Sequence, residues 1–309
     1  MVNRRQVKGL VVPVITPVLD DDSVDVGAFG KLLDRLVRSG VDGIFVGGTV
    51  GEGPLLADDQ WQRMVETARE AVGRSPVPLL AGAMDTSTRR VCRKIKILRD
   101  LGYEHFVVTG TFYMPTRSPR EHLRLFGAAY EAAGDMDMVA YNIPQCTGSS
   151  LAAGTICEMA RRGWIRCCKD SSGDFPFLKE LLAAGRQCGL RVLTGNESTA
   201  GDALLAGACG MVCGCANYDP HVYLRLHKAA LAGDRPAVAE AMKRVLLLRA
   251  ELAKSGASGL SGIKYAMSAL GFGNGKPVSP LEPAGAEQKA RIDALMANDQ
   301  DNEQLTMAT

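Results

Sequence analysis

The chain has 309 residues, 46% of them hydrophobic, and 36 basic residues against 34 acidic ones leave a formal net charge of +2. Neither sign is gathered into a long block, so no nucleic acid or other polyanion is implied as a partner. The apolar run at 9–15, behind Met1-Val2-Asn3-Arg4-Arg5-Gln6, is too short to cross a membrane and lacks a small-residue cleavage site, so a soluble cytoplasmic protein is expected.

In chain order, short apolar β-rich runs stand at 10–15, 43–46, 78–81, 105–109, 136–141, 164–169, 191–194 and 210–213. They recur at intervals of roughly 25 to 35 residues, the pattern of repeated βα units. Most are continuous apolar segments with no in-out alternation, which predicts parallel strands buried on both faces, as in a closed (β/α)8 TIM barrel. Segments 26–38, 58–72, 86–101, 119–132 and 177–184 carry apolar residues at spacings of three and four and are read as outer helices. After the eighth run the pattern turns purely helical, over 220–232, 235–254, 260–270 and 287–297. The expected organisation is a catalytic α/β barrel over 1–217 and a C-terminal helical extension over 218–309, with the polar Asp299-Gln300-Asp301-Asn302-Glu303 as a frayed tail.

The nine cysteines are scattered. Cys167-Cys168 and Cys213-Gly214-Cys215 lack the two-residue gap usual for zinc ligands, and no histidine lies near either in sequence. Small buried thiols in a reducing compartment are expected, neither disulfides nor metal ligands.

Reactive groups of such a barrel sit at the carboxyl ends of its strands. Run six ends in Lys169, followed at once by the turn and helix-start signal Asp170-Ser171-Ser172-Gly173-Asp174. A Schiff-base enzyme requires a lysine delivered in this way, because burial beside apolar walls frees the amine's lone pair. Taken alone, the run also fits an ordinary surface lysine. Run two ends in Gly47-Gly48-Thr49-Val50-Gly51-Glu52-Gly53, which lacks both the Gly-Lys-Ser/Thr of a phosphate loop and the spacing of a dinucleotide fingerprint. Its closely spaced amides suit an anion nest for a small carboxylate, or simply a tight turn needing positive φ. Run five ends in Tyr141, which a closed barrel places on the stave beside Lys169, as a proton carrier or as a phenol packed at the rim.

Together these motifs resemble the dihydrodipicolinate synthase and N-acetylneuraminate lyase superfamily of class I aldolases, from about Gly9 to about Pro283. The resemblance rests on Thr16-Pro17, the Gly-x-x-Gly-Glu turn at 48–52, Tyr141-Asn142-Ile143-Pro144 with Thr147-Gly148, Lys169, Gly195, and Gly207 with 210–217. It implies an imine between Lys169 and the keto carbon of pyruvate or another 2-oxo acid, with Tyr141 as general acid/base. Thr49 would link Tyr141 to a second tyrosine crossing a subunit interface, for which Tyr113 is the nearest candidate. The amides of Thr49 and Val50 would hold the carboxylate, and the carbonyl of Val212 would face the bound keto acid. A homotetramer, and no metal or cofactor, are implied as well, since the lysine supplies the electron sink.

The chain also departs from the pattern. Val50 replaces a second hydroxyl residue of the glycine turn. Cys146 stands where dihydrodipicolinate synthases carry an arginine for the aldehyde substrate's distant carboxylate, and a cysteine cannot form that bidentate pair. The stretch Gly195-Asn196-Glu197-Ser198 offers one carboxylate where sialic-acid lyases offer two, although Ser171 and Glu197 suit a shorter polyol. Cys213, where a serine is common, and Ser279, near a usual arginine, have no functional account. The expectation is a class I pyruvate aldolase or lyase acting on a 2-oxo-3-deoxy acid and releasing an aldehyde. A 2-oxo-3-deoxy sugar-acid dehydratase and a hydratase-aldolase stand as alternatives using the same imine. The lysine-pathway synthase is disfavoured, and a keto-acid-binding barrel without turnover is the non-enzyme alternative.

Overall fold

The computed structural model describes residues 6–254 and 259–307. Eight strands, β1 (Gly9–Pro13), β2 (Gly43–Val46), β3 (Leu79–Gly82), β4 (His105–Thr109), β5 (Asp137–Asn142), β6 (Ile165–Asp170), β7 (Arg191–Thr194) and β8 (Gly210–Val212), pair in parallel in chain order. β8 pairs back onto β1, closing the expected barrel. Phe45, Leu80, Val107, Val139 and Leu193 pack together inside it, while their neighbours Ile44, Ala81, Phe106, Ala140 and Val192 pack in the layer beneath the helices. Both strand faces are therefore apolar, which is why the runs read as unbroken.

One irregularity in β6 bears on the site. Met138 and Val139 are adjacent on β5 but pair with Ile165 and Cys167, so Arg166 is an extra, exposed residue bulged out of β6. Ile165 packs in the outer layer and Cys167 in the barrel interior. Strict alternation from Ile165 would have turned Cys167 and Lys169 outward; the bulge reverses the phase and turns them inward.

Between the strands stand α1 (Val26–Arg38), α2 (Asp58–Val72), α3 (Thr88–Asp100), α4 (Pro119–Ala133), α5 (Pro144–Thr147), α6 (Ala153–Arg161), α7 (Phe175–Gln187) and α8 (Ala200–Leu205). Side-chain caps set several starts. Asp25 and Asp174 accept from the N–H groups of Ala28 and Phe177, and Ser118 with Glu121 forms a capping box ahead of α4. α5, α6 and α8 were not among the predicted helices. They have four, nine and six residues, and the latter two open on Ala-Gly pairs, so periodicity and propensity are weak over so short a span.

After β8, α9 (Pro220–Leu231) packs on β1 and α8, where it completes the outer ring as well as opening the C-terminal helices. α10 (Arg235–Leu248) runs into a π-helical turn, Arg249–Lys254, and α11 (Ser261–Ala269) and α12 (Ala286–Met307) follow. The expected single helix over 235–254 is thus wound differently in its last six residues. Residues 299–303, expected to fray, have helical backbone within α12. Asp299 anchors that helix, accepting from the Tyr218 hydroxyl at 2.8 Å and the Arg244 guanidinium at 2.6 Å.

Candidate active site

Lys169 and Tyr141 lie opposite each other in the register of β6 and β5. They are 6% and 2% exposed, and the lysine Nζ stands 3.8 Å from the centroid of the Tyr141 ring and 5.4 Å from that of Phe45. The next register pair braces them. Asn142 donates to Asp170 at 2.7 Å, the Ser172 hydroxyl donates to the same carboxylate at 2.9 Å, and Asn142 Oδ1 accepts from the Leu151 N–H at 2.9 Å. Burial raises the Asp170 carboxyl above its ordinary value, against the pull of the Asn142 and Ser172 hydrogen bonds. This network ties the ends of β5 and β6 together and fixes the height at which Lys169 meets the phenol.

A cavity of about 330 Å³ opens over the Lys169 amine at the carboxyl end of the barrel. Thr49, Val50, Tyr141, Ser171, Gly195, Val212, Glu197 and Arg249 are among the residues that line it. Gly195 has no room for a side chain: a Cβ there would lie 1.9 Å from Ser171 Oγ and 2.9 Å from Lys169 Cε. In the glycine turn, the N–H groups of Glu52 and Gly53 are taken by the carbonyls of Thr49 and Gly48, each at 3.2 Å. Those of Thr49 and Val50 have no acceptor among the described residues, so they are open to an anion. Gly47 takes φ 62° and its carbonyl would lie 2.1 Å from a Cβ on Gly53, so this turn requires its glycines.

The turn is held from above. Glu52, at φ 54°, buries its carboxylate against the Lys264 ammonium of α11 and accepts from the Val278 N–H at 2.6 Å. Burial pushes Glu52 above its ordinary value and Lys264 below its own, each against the pull of its partner. The C-terminal helices therefore both roof the cavity, through Ala253 and Ile263, and clamp the loop that carries Thr49.

Of the residues singled out from sequence, Thr49, Val50, Tyr141, Lys169, Ser171, Gly195, Glu197 and Val212 meet around one cavity. Two do not. Cys146 lines a neighbouring apolar cavity of about 300 Å³ with Met84, Phe112, Leu260 and Leu281, reached across Thr49 and Ile143. Tyr113 is 91% exposed at φ 70° on the loop after β4, away from Tyr141 within one chain. Among the described residues no hydrogen bond joins the Thr49 and Tyr141 hydroxyls, so the implied relay is not closed in a single subunit. Cys213 is fully buried in the outer layer, and the Ser279 N–H donates to Asp22 Oδ1 at 3.2 Å. The nine cysteines are free thiols, and among the described residues no three His, Cys, Asp or Glu side chains gather as a metal site. Sequence reasoning missed Gln145, Asn196 and Arg249 on the cavity wall. Asn196 lies inside a quoted motif, but nothing in Leu246-Leu247-Leu248-Arg249 distinguishes that arginine from a helical surface residue.

The sequence matches the dihydrodipicolinate synthetase family over residues 6–298. An uncharacterised DapA-like lyase of Halobacterium salinarum is 31% identical over 292 residues, covering 94% of this chain and 93% of that protein. A 4-hydroxy-tetrahydrodipicolinate synthase of Exiguobacterium is 29% identical over 295 residues, covering 96% and 98%. Among solved structures, dihydrodipicolinate synthase from Bacteroides thetaiotaomicron superposes with a TM-score of 0.89 at 26% identity, over 96% of this chain and 99% of that one. With a match spanning nearly the whole chain and a closed barrel of the same architecture, this protein is a lyase of the dihydrodipicolinate synthetase family.

Proposed function

We propose that the protein is a class I, Schiff-base aldolase that cleaves a 2-oxo-3-deoxy acid to pyruvate and an aldehyde. The observation that carries this reading is the buried Lys169 amine 3.8 Å from the Tyr141 ring centroid, in a cavity shared with the open amides of Thr49 and Val50. The substrate carboxylate sits on those amides, presenting its C2 carbonyl to Lys169. The amine adds to C2, and the Tyr141 hydroxyl gives the proton with which the carbinolamine oxygen leaves as water, so that a protonated imine and a phenolate remain. Cleavage of the C3–C4 bond sends its electron pair into the imine as an enamine, while the C4 hydroxyl gives its proton to the Tyr141 oxygen and leaves as aldehyde carbonyl. The enamine takes a proton at C3, and water releases pyruvate and restores the lysine. Tyr113, exposed in one subunit, is assigned to the proton relay of a neighbouring subunit in a homotetramer.

Lysine-pathway synthase activity, for which several relatives are named, is not assigned to this chain. The residue at the arginine position, Cys146, opens into an apolar cavity and supplies no cation at that position.

Borohydride reduction in the presence of pyruvate, followed by peptide mapping, tests the mechanism. A pyruvate-derived adduct on Lys169, absent from Lys169→Ala, is the expected result. Turnover of a 2-oxo-3-deoxy acid by Lys169→Ala would sink it. Release of water without aldehyde from the same substrates would move the assignment to the dehydratase.

A further inference from the structure

The cavity over Lys169, about 330 Å³, is lined by more residues than the Schiff-base chemistry uses. Beyond Lys169, Tyr141 and the glycine turn, its lining includes the polar side chains of Ser172, Asn196, Glu197 and Arg249 and the apolar ones of Ala253 and Ile263.

Arg249 and Lys169 are the two cationic side chains in this lining, and Lys169 is committed to the imine. Arg249 opens the π-helical turn that follows α10, a distortion that recurs at functional sites in other helices. Within this turn Leu252 is fully buried, while Arg249 and Ala253 border the cavity. Elsewhere in the C-terminal helices, Arg244 is held by Asp219 and Asp299, and Arg291 by Glu251. Arg249 is half-buried, yet its guanidinium forms no hydrogen bond and no ion pair among the described residues. Its field reaches Glu197, whose carboxylate accepts from the Cys215 N–H at 2.9 Å, but the two are not joined. A planar cation without a hydrogen-bonded acceptor, bordering the cavity that holds the Lys169 amine, suits a ligand that carries an anionic group.

We infer that Arg249 binds an anionic group, a carboxylate or a phosphate, at the far end of the 2-oxo acid bound to Lys169. The substrate class narrows accordingly to 2-oxo-3-deoxy acids with a negatively charged terminus. This inference rests on the Schiff-base reading of Lys169.

Borohydride trapping on Lys169 measures it. The half-saturating concentration is determined for 2-oxoglutarate against 2-oxopentanoate, for 2-oxoadipate against 2-oxohexanoate, and for 2-oxo-4-phosphonobutanoate. The readout is the ratio between the charged and neutral acid of one length within each protein, so a general loss of imine formation in a variant cancels. The wild-type protein is expected to favour the charged acid at one of these lengths by about tenfold or more, the scale of a charge-assisted hydrogen bond. Arg249→Met abolishes that preference and Arg249→Lys restores part of it. Preference for the phosphonate over both dicarboxylates assigns the terminus as phosphate, and the reverse assigns it as carboxylate. No preference in the wild-type protein, or an equal preference in Arg249→Met, overturns the inference while leaving the imine intact. Failure to trap any of these acids, or pyruvate, on Lys169 overturns the Schiff-base reading, and this inference falls with it.

Discussion

Replacing Lys264 by Met isolates the contact that joins the C-terminal helices to the glycine turn. The Lys264 and Glu52 side chains are 2% and 0% exposed, so the substitution leaves a buried carboxylate whose one remaining donor in this contact is the Val278 N–H at 2.6 Å. Methionine keeps the apolar bulk of the lysine stem, and the cost is that of the uncompensated charge, about 3–5 kcal/mol at neutral pH. Burial already raises Glu52 above the ordinary 4.5, and Lys264 opposes that rise; without the lysine it goes further. A carboxyl with a raised folded-state pKa contributes stability that is complete below its unfolded pKa and is lost as pH rises through the folded one. The deficit of Lys264→Met is therefore expected to be smaller at pH 5 than at pH 8. Glu52→Gln combined with Lys264→Met removes the charge, keeps an acceptor for Val278, and is expected to recover most of the loss. Urea unfolding followed by circular dichroism at both pH values, on the wild-type, single and double variants, measures all three effects. Because Glu52 ends the loop that presents the Thr49 and Val50 amides, the single variant is also expected to raise the KM for the 2-oxo acid. A loss below about 1 kcal/mol at neutral pH, or one that does not change with pH, would refute the electrostatic account of this pair.

The remaining predictions concern the lining of the cavity. Tyr141→Phe keeps the ring against which Lys169 packs but removes the hydroxyl, so the pyruvate adduct persists while turnover falls by about a hundredfold or more; an unchanged turnover rate removes Tyr141 from proton transfer. Gly195→Ala places a methyl group 1.9 Å from Ser171 Oγ and 2.9 Å from Lys169 Cε. It is expected to slow imine trapping by about a hundredfold with little change in the unfolding midpoint, and adding Ser171→Gly is expected to restore part of the rate. Trapping at the wild-type rate would show that the amine tolerates displacement.

Much of the site was legible because its groups sit where the chain changes character. Lys169, Tyr141 and the turn at 47–53 each end an apolar run, and in a parallel barrel the end of a strand is a place in space as well as in sequence. Glu52 belonged to a recognised motif, but its partner lies 212 residues away on α11, and no local pattern announces a contact at that separation. The short helices α5, α6 and α8 escaped for the opposite reason, being held by the barrel and too brief to show a period.

The sequence by itself determined the closed barrel, since strands buried on both faces must be apolar throughout and the helices between them must be apolar on one side. It also determined which strand ends carry an amine, a phenol and a glycine-rich turn. Tertiary structure alone decided which way the amine points: the extra residue Arg166 reverses the alternation of β6 and turns Lys169 into the barrel, because a one-residue shift in a structure of period two exchanges inside for outside. The folding of the C-terminal helices over the barrel likewise decided that Arg249 and Glu197 share the lysine's cavity while Cys146 faces another, because packing brings together side chains whose sequence positions carry no mutual signal.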